Sequence, residues 1–160
     1  MLRARDFPNL RGSIRSARAA GRVIALLPGL YARADMADRL EVLAAAAMAC
    51  APDGVIVGTA ALALVLPADV NTSVVDVACR TRHVDGVRIR FSRRTYPGEW
   101  VVDRSGIRLA HPATAAIDLA ADDGGVAIDL ILRRRRRVSR SCGPPWLTCR
   151  AGQVTDGEPR

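Results

Sequence analysis

The sequence predicts a mixed α+β fold whose core is built from small aliphatic side chains. Of the 160 residues, 49% are apolar but only 4% are aromatic, so alanine, valine, leucine and isoleucine must fill the interior. Helical apolar stripes alternate along the chain with short β-branched runs, and turn-forming residues separate them. A chain of this length forms one domain with a core, or a small module joined to a modest one.

The first predicted element is a short amphipathic helix over residues 9–20. Leu10, Ile14 and Ala17 recur at the spacing i, i+4, i+7 and therefore share one stripe. Gly21 follows as a C-terminal stop, because glycine readily adopts the left-handed backbone that ends many helices. We therefore expect the helix to end close to this glycine.

Two short strands and a tight turn follow the helix. The strands, 23–27 and 30–32, are joined at Pro28-Gly29, where proline presets the first turn position and glycine accepts a positive φ at the second. The order helix, glycine, strand, turn, strand is that of a recognition helix followed by a wing. We therefore predict a partial winged helix-turn-helix over residues 1–34.

The rest of the body predicts a small mixed-sheet α/β domain over residues 35–137, in which helices and strands alternate. The predicted helices cover 35–51 with Asp35 as the N-cap, 59–66, 112–121, and a last stretch from Val126 into the arginine run. The predicted strands cover 55–57, 73–80, 87–92, 99–102 and 107–110. Residues 138–160 have no apolar rhythm, so we expect an irregular, disordered tail.

Several predicted elements also indicate which side chains face the core. In one strand, Val87, Ile89 and Phe91 alternate with Arg88 and Arg90, which predicts one buried face and one basic face. The last two helices are expected to turn the following side chains inward: Ala116, Ile117, Ala120, Ile128, Ile131 and Leu132.

Positive charge is concentrated in three parts of the chain. All 24 basic residues are arginine and the net charge is +8, but residues 133–160 hold eight arginines against two acids and so carry most of it. Within the near-neutral body, residues 1–34 hold seven arginines against one acid, and residues 80–94 hold six against one. Two such segments indicate a nucleic-acid partner, and two solvated faces are the alternative.

The first basic segment suggests how DNA would be contacted. Four arginines recur every three or four residues along the predicted helix and past its end, beside the apolar stripe. Small residues let a helix approach a groove closely, and arginines reach phosphates or the edge of guanine. A short helix with a solvated cationic face is the alternative. The candidate DNA-binding residues, including one beside the wing, are Arg11, Arg15, Ser16, Arg18, Arg22 and Arg33.

No segment predicts secretion or insertion into a membrane. The start MLRARDFPN lacks an apolar signal region, and the apolar stretches around 42–51 and 55–68 are shorter than the roughly 20 residues of a membrane span. We expect a cytoplasmic protein without a membrane partner.

The cysteines and histidines predict no metal, disulfide or cofactor site. Cys50 and Cys79 stand in apolar contexts typical of buried thiols, and the spacing of Cys142 and Cys149 fits no common zinc site. His111 precedes a proline and is expected to cap or precede its helix.

One pair of segments tests for catalysis. The run VIVGTAAL followed by VVDVA imitates the strand, turn, helix and Asp-x-Asp strand of nucleotidyltransferases. Such enzymes need paired carboxylates to hold magnesium on the triphosphate. Asp76 is followed two places later by Ala78, so the second carboxylate is missing and we predict a protein that is not an enzyme.

Four segments in order carry a resemblance to a family. They are LRGSIRSARAAGRVIALLPGLYARAD, PDGVIVGTAALALVL, VVDVACR and GIRLAHPATAAIDLA. Over roughly residues 5–134 the chain resembles the AbiEi antitoxin family of type IV toxin-antitoxin systems, and more narrowly the bacterial regulators with an N-terminal winged helix. The resemblance implies a DNA-binding winged helix-turn-helix on an α/β antitoxin domain, repression of its own operon, and a nucleotidyltransferase-like toxin as the partner.

The chain departs from this family at both ends. Family members have one or two helices before the recognition helix, whereas only eight residues precede Asn9, and the tail does not continue the last helix. A shortened or frame-shifted gene product would explain both departures. The alternative functions are a protein-interaction module, a truncated antitoxin remnant without DNA binding, or a nonfunctional fragment. The oligomeric state is not predicted.

Overall fold

The computed structural model describes residues 1–81 and 83–138, which form a mixed α+β fold as predicted. The helices are α1 (Arg11–Ala19), α2 (Leu40–Cys50), α3 (Gly58–Val65), α4 (Pro112–Asp123) and α5 (Val126–Val138). The strands are β1 (Leu2–Arg3), β2 (Val23–Leu27), β3 (Leu30–Arg33), β4 (Val55–Val57), β5 (Val75–Ala78), β6 (Ile89–Ser92), β7 (Val101–Arg104) and β8 (Ile107–Ala110).

A small antiparallel sheet in the order β1-β3-β2 contains the hairpin that the sequence predicts as a wing, and these strands (residues 2–3, 23–27 and 30–33) are called the wing only as a label. Strands β2 and β3 form the predicted hairpin, and Gly29 adopts φ 74° at the turn between them. Strand β1 was not predicted, and it pairs Leu2 with Tyr31 on the other side of β3. The central strand of the wing is therefore held on both edges.

Helix α1 ends where the sequence predicts. Gly21 has φ 66°, its N–H donates to the Arg18 carbonyl at 2.9 Å, and the Arg22 N–H donates to the Ala17 carbonyl at 2.9 Å. These two bonds are the Schellman arrangement, which satisfies carbonyls that the end of a helix otherwise leaves without partners. The glycine both stops the helix and directs the chain into β2.

The larger sheet has the order β6-β5-β4-β8-β7 and places β4 at its centre. Strand β4 runs antiparallel to β5 and parallel to β8, while β5 and β6 are parallel and β7 and β8 form an antiparallel hairpin. All three residues of β4 are buried, which agrees with the uninterrupted apolar run Val-Ile-Val.

One hydrophobic core joins the wing to the rest of the described chain. Leu26, Leu27 and Leu30 from the wing lie in the same buried cluster as Ile56 of β4 and Leu109 of β8. Alanines of α2, α3 and α4 complete this cluster, and their small side chains let helices approach the sheet closely. The scarcity of aromatic residues is thus compensated by close packing of small ones.

The predicted start of the second helix is wrong. Helix α2 begins at Leu40, with Arg39 at the N-cap position, and residues 34–36 form a separate 3-10 turn. Asp35 lies inside this turn, four residues before the N-cap position, and its carboxylate instead accepts two hydrogen bonds from Arg33.

Two side chains that were predicted to face the core are exposed instead. Val87 is 93% exposed because β6 begins only at Ile89, after a turn in which the Gly86 N–H donates to the Ile89 carbonyl. Ile117 is 66% exposed because α4 instead buries Ala115 and the predicted Ala116 where it packs between α3 and α5.

The last helix orients its apolar residues almost as predicted. Ile128 and Ile131 pack against the core and Ala127 is buried, but Leu132 is half-exposed. Helix α5 continues through the arginine run to Val138, and the predicted tail beyond it lies outside the described residues. Among the helices that the structure describes, none is long and apolar enough to cross a bilayer.

Candidate nucleic-acid interface

A cleft of about 570 Å³ lies beside α1. The helical repeat places residues 11, 15 and 18 on one side of α1, and all three line this cleft. The cleft is lined by Ala4, Arg11, Ile14, Arg15, Arg18, Ala19 and Tyr31. The cleft therefore combines three guanidinium groups with one aromatic ring.

Tyr31 supplies the aromatic part of the cleft lining. It lies in β3 between buried Leu30 and buried Ala32, so the alternation of the strand turns its ring to the other face. The guanidinium carbon of Arg18 lies 5.7 Å from the centroid of this ring, which is the geometry of a cation–π contact. Sequence reasoning missed Tyr31, although the pattern Leu-Tyr-Ala was the available signal.

The arginines of the cleft are not neutralised by carboxylates of the described chain. Residues 1–34 contain one acid, Asp6, and its carboxylate lies 3.6 Å from Arg5. No ion pair within residues 1–81 and 83–138 involves Arg11, Arg15 or Arg18. Their positive charges are therefore available to an anionic ligand.

The other predicted DNA-binding residues lie outside this cleft. Ser16 is exposed on a different side of α1, and Arg22 is exposed after the helix has ended. Arg33 is held by Asp35, with Nε 3.1 Å and Nη2 2.6 Å from the two carboxylate oxygens. Arg33 lines a second cleft of about 310 Å³, on the side of α1 that carries Leu10 and Ala17.

The two arginines of the predicted basic strand face, unlike the three arginines of the cleft, have carboxylate partners. Arg88 lies 2.6 Å from a carboxylate oxygen of Asp38, and Arg90 lies 3.5 Å from Asp76. Both arginines of the predicted basic face therefore have a carboxylate nearby within the protein, which weakens the attraction of this face for a polyanion.

The arginine run at the end of α5 is partly engaged in the same way. Arg133 lies 2.6 Å from Asp129 one turn earlier, and Arg134 lies 2.5 Å from Asp69 in the loop after α3. The first contact lies within α5, and the second joins α5 to a neighbouring loop. The first two arginines of the run therefore have partners within the protein.

Asp76, Asp118 and His111 each have a local partner within the protein. Asp76 forms its ion pair with Arg90, and Asp118 accepts a hydrogen bond from the hydroxyl of Tyr96. His111 caps α4 as predicted, with its Nδ1 accepting the Ala113 N–H at 3.3 Å. In the described part of the chain, no three His, Cys, Asp or Glu side chains are grouped so as to hold a metal ion.

Comparison with known proteins adds no family assignment to this geometry. No protein-family model, curated protein or solved structure matches the chain.

Proposed function

We propose that the protein is a non-catalytic, DNA-binding regulator of the antitoxin type. Three arginines in one cleft without carboxylate partners among the described residues carry this proposal. Duplex DNA attracts such a surface through its phosphates, and an arginine side chain adds recognition of guanine where it reaches a base edge.

The elements beside the cleft support contact with a duplex. Helix α1 presents the arginines, and the β2–β3 hairpin follows it directly, in the order expected for a recognition helix and a wing. The motif order of the AbiEi family gives the same interpretation, and adds the DNA upstream of the protein's own gene as the first operator to test.

Substitution of Arg15 and Arg18 by alanine tests this proposal. Each arginine that contacts a phosphate or a guanine contributes about 1–3 kcal/mol, so each variant should bind the upstream duplex at least about fivefold more weakly. The slope of log K against log salt should become shallower by about 0.9 for each lost phosphate contact.

Arg88→Ala provides a charge-matched control. It lowers the net charge by one, as Arg15→Ala does, but removes an arginine that Asp38 already neutralises. Its DNA affinity and salt slope should stay close to those of the wild type. Equal affinity of the wild type, Arg15→Ala and Arg18→Ala would refute the role of α1 as the recognition helix, and no binding of the upstream duplex by the wild type would refute the DNA-binding role and favour the alternative of a protein-interaction module.

The antitoxin role is a separate part of the proposal and needs its own test. The neighbouring DNA should contain a nucleotidyltransferase-like reading frame whose expression arrests growth. Co-expression of this chain should restore growth, since an antitoxin neutralises its toxin. Continued arrest in cells that contain the folded chain would contradict the antitoxin role without affecting the DNA-binding measurement.

A further inference from the structure

His83 connects two cysteines near the end of β5, because it contacts Cys50 and lines a cleft together with Cys79. Cys50 is the last residue of α2, Cys79 directly follows β5, and His83 lies in the loop before β6. The Sγ atom of Cys50 lies 3.5 Å from Nδ1 of His83. The His83 ring packs against Phe91, with ring centroids 5.0 Å apart, which orients the imidazole toward the thiol.

The two thiols have different surroundings. Cys79 is buried, and its Sγ donates a hydrogen bond to the Thr81 carbonyl at 3.0 Å. Burial raises the pKa of Cys79, and the nearby charge of a Cys50 thiolate raises this pKa further. Cys79 is therefore kept as a neutral thiol, while Cys50 is half-buried and has a proton acceptor beside it.

A cleft gives small solutes access to this group. Its volume is about 540 Å³, and both Cys79 and His83 line it, together with Arg80 and Asp53. Ala51, the residue after Cys50, lines the same cleft. A peroxide is much smaller than this space and can reach His83 and Cys79 from it, while the half-buried Cys50 lies directly against His83.

We propose that Cys50 and Cys79 form an oxidant-responsive thiol pair, in which Cys50 reacts with a peroxide and Cys79 captures the product. Reactive cysteines act as thiolates, and a neighbouring imidazole is a suitable acceptor for the thiol proton. Neither the antitoxin role nor DNA binding requires this chemistry.

The reaction has two balanced steps. The Cys50 proton passes to His83, the thiolate attacks one peroxide oxygen, the O–O bond breaks, and the departing oxygen takes the proton to form water or an alcohol. Cys50 then carries a sulfenic acid. The Cys79 sulfur attacks the Cys50 sulfur, the S–O bond breaks, and hydroxide leaves with the Cys79 proton as water. The two sulfurs lose two electrons in total, and the peroxide gains them.

Hydrogen peroxide treatment of the full chain tests the proposal. Cys142 and Cys149 are replaced by serine in every protein, so that only Cys50 and Cys79 can react. Peptide mass spectrometry should then find a Cys50–Cys79 disulfide within one chain. In Cys79→Ser, Cys50 should stop at the sulfenic acid, which dimedone traps, and in Cys50→Ser, Cys79 should remain a thiol.

His83→Phe tests the role of the imidazole, because phenylalanine retains an aromatic ring against Phe91 but accepts no proton. Its oxidation at neutral pH should be at least about tenfold slower, since a positioned base commonly contributes that much or more. His111→Ala removes the other histidine of the chain and should react at the parent rate. Circular dichroism should show that both variants are folded. Oxidation of Cys79 in Cys50→Ser, a disulfide that forms only between chains, or an unchanged rate in folded His83→Phe would overturn the proposal.

Discussion

The guanidinium of Arg18 lies over the ring of Tyr31 and thereby joins α1 to the central strand of the wing. A cation–π pair of this kind contributes about 0.5–1 kcal/mol at a partly exposed site. A double-mutant cycle with Arg18→Ala and Tyr31→Ala should therefore give a coupling free energy of that size in urea unfolding. The same cycle with Arg15→Ala should give a coupling near zero, and similar values in both cycles would contradict a specific Arg18–Tyr31 contact.

Two glycines around α1 should respond oppositely to the same substitution. A Cβ at either position would have no atom within 4 Å, so packing plays no part. Gly21→Ala should destabilise the protein by about 1 kcal/mol, because its φ of 66° is strained for alanine. Gly12→Ala should stabilise it by about 0.5–1 kcal/mol, because Gly12 lies inside the helix. Chemical denaturation measures both values, and a stabilised Gly21→Ala would refute the role of this glycine as the helix stop.

Gly86 is expected to tolerate an added side chain less well than Gly98 does. A Cβ at Gly86 would lie 2.2 Å from the carbonyl oxygen of Leu26, a backbone atom of the wing that cannot move aside alone. Gly86→Ala should cost on the order of 2–4 kcal/mol. Gly98→Ala, where the added atom meets nothing within 4 Å, should change the unfolding free energy little. Equal thermal midpoints for the two variants would show that the backbone at Gly86 does not pack closely against the Leu26 carbonyl of β2.

The buried thiol of Cys79 should make stability depend on alkaline pH. Burial raises its pKa above the ordinary value of 9.0, so the folded state retains the proton longer than the unfolded chain does. This contribution is fully present below that value and is lost as the pH rises through it toward the raised pKa. The unfolding free energy of the wild type should therefore fall more steeply above pH 9 than that of Cys79→Ala. Parallel pH profiles for the two proteins would contradict a raised pKa in the folded state.

The helix end and the tight turn near the start of the chain were predictable from its sequence. Gly21 and Pro28-Gly29 act through backbone conformations that depend on the residues themselves, and the structure places a helix end and a turn at these positions. The apolar run 55–57 likewise predicts β4 to the residue, because a strand buried on both faces needs no alternation.

Contacts between distant segments were not predictable in this way. Strand β1 has only two residues, too few for a pattern, and exists because β3 offers it an edge. The pairing of Arg88 with Asp38 joins positions far apart in the chain, so the sequence showed a basic strand where the fold contains an ion pair. Tyr31 became part of the candidate site through the packing of α1 on the wing, which periodicity alone does not describe.

The core that the wing shares with the larger sheet limits how the molecule can be divided in the laboratory. A fragment ending near residue 34 would expose Leu26, Leu27 and Leu30 to water and would lose the partners that now cover them. Such a fragment would be prone to aggregate, and its failure to bind DNA would carry no information about α1. Single substitutions in the whole chain are therefore the appropriate tools for assigning activities to its parts.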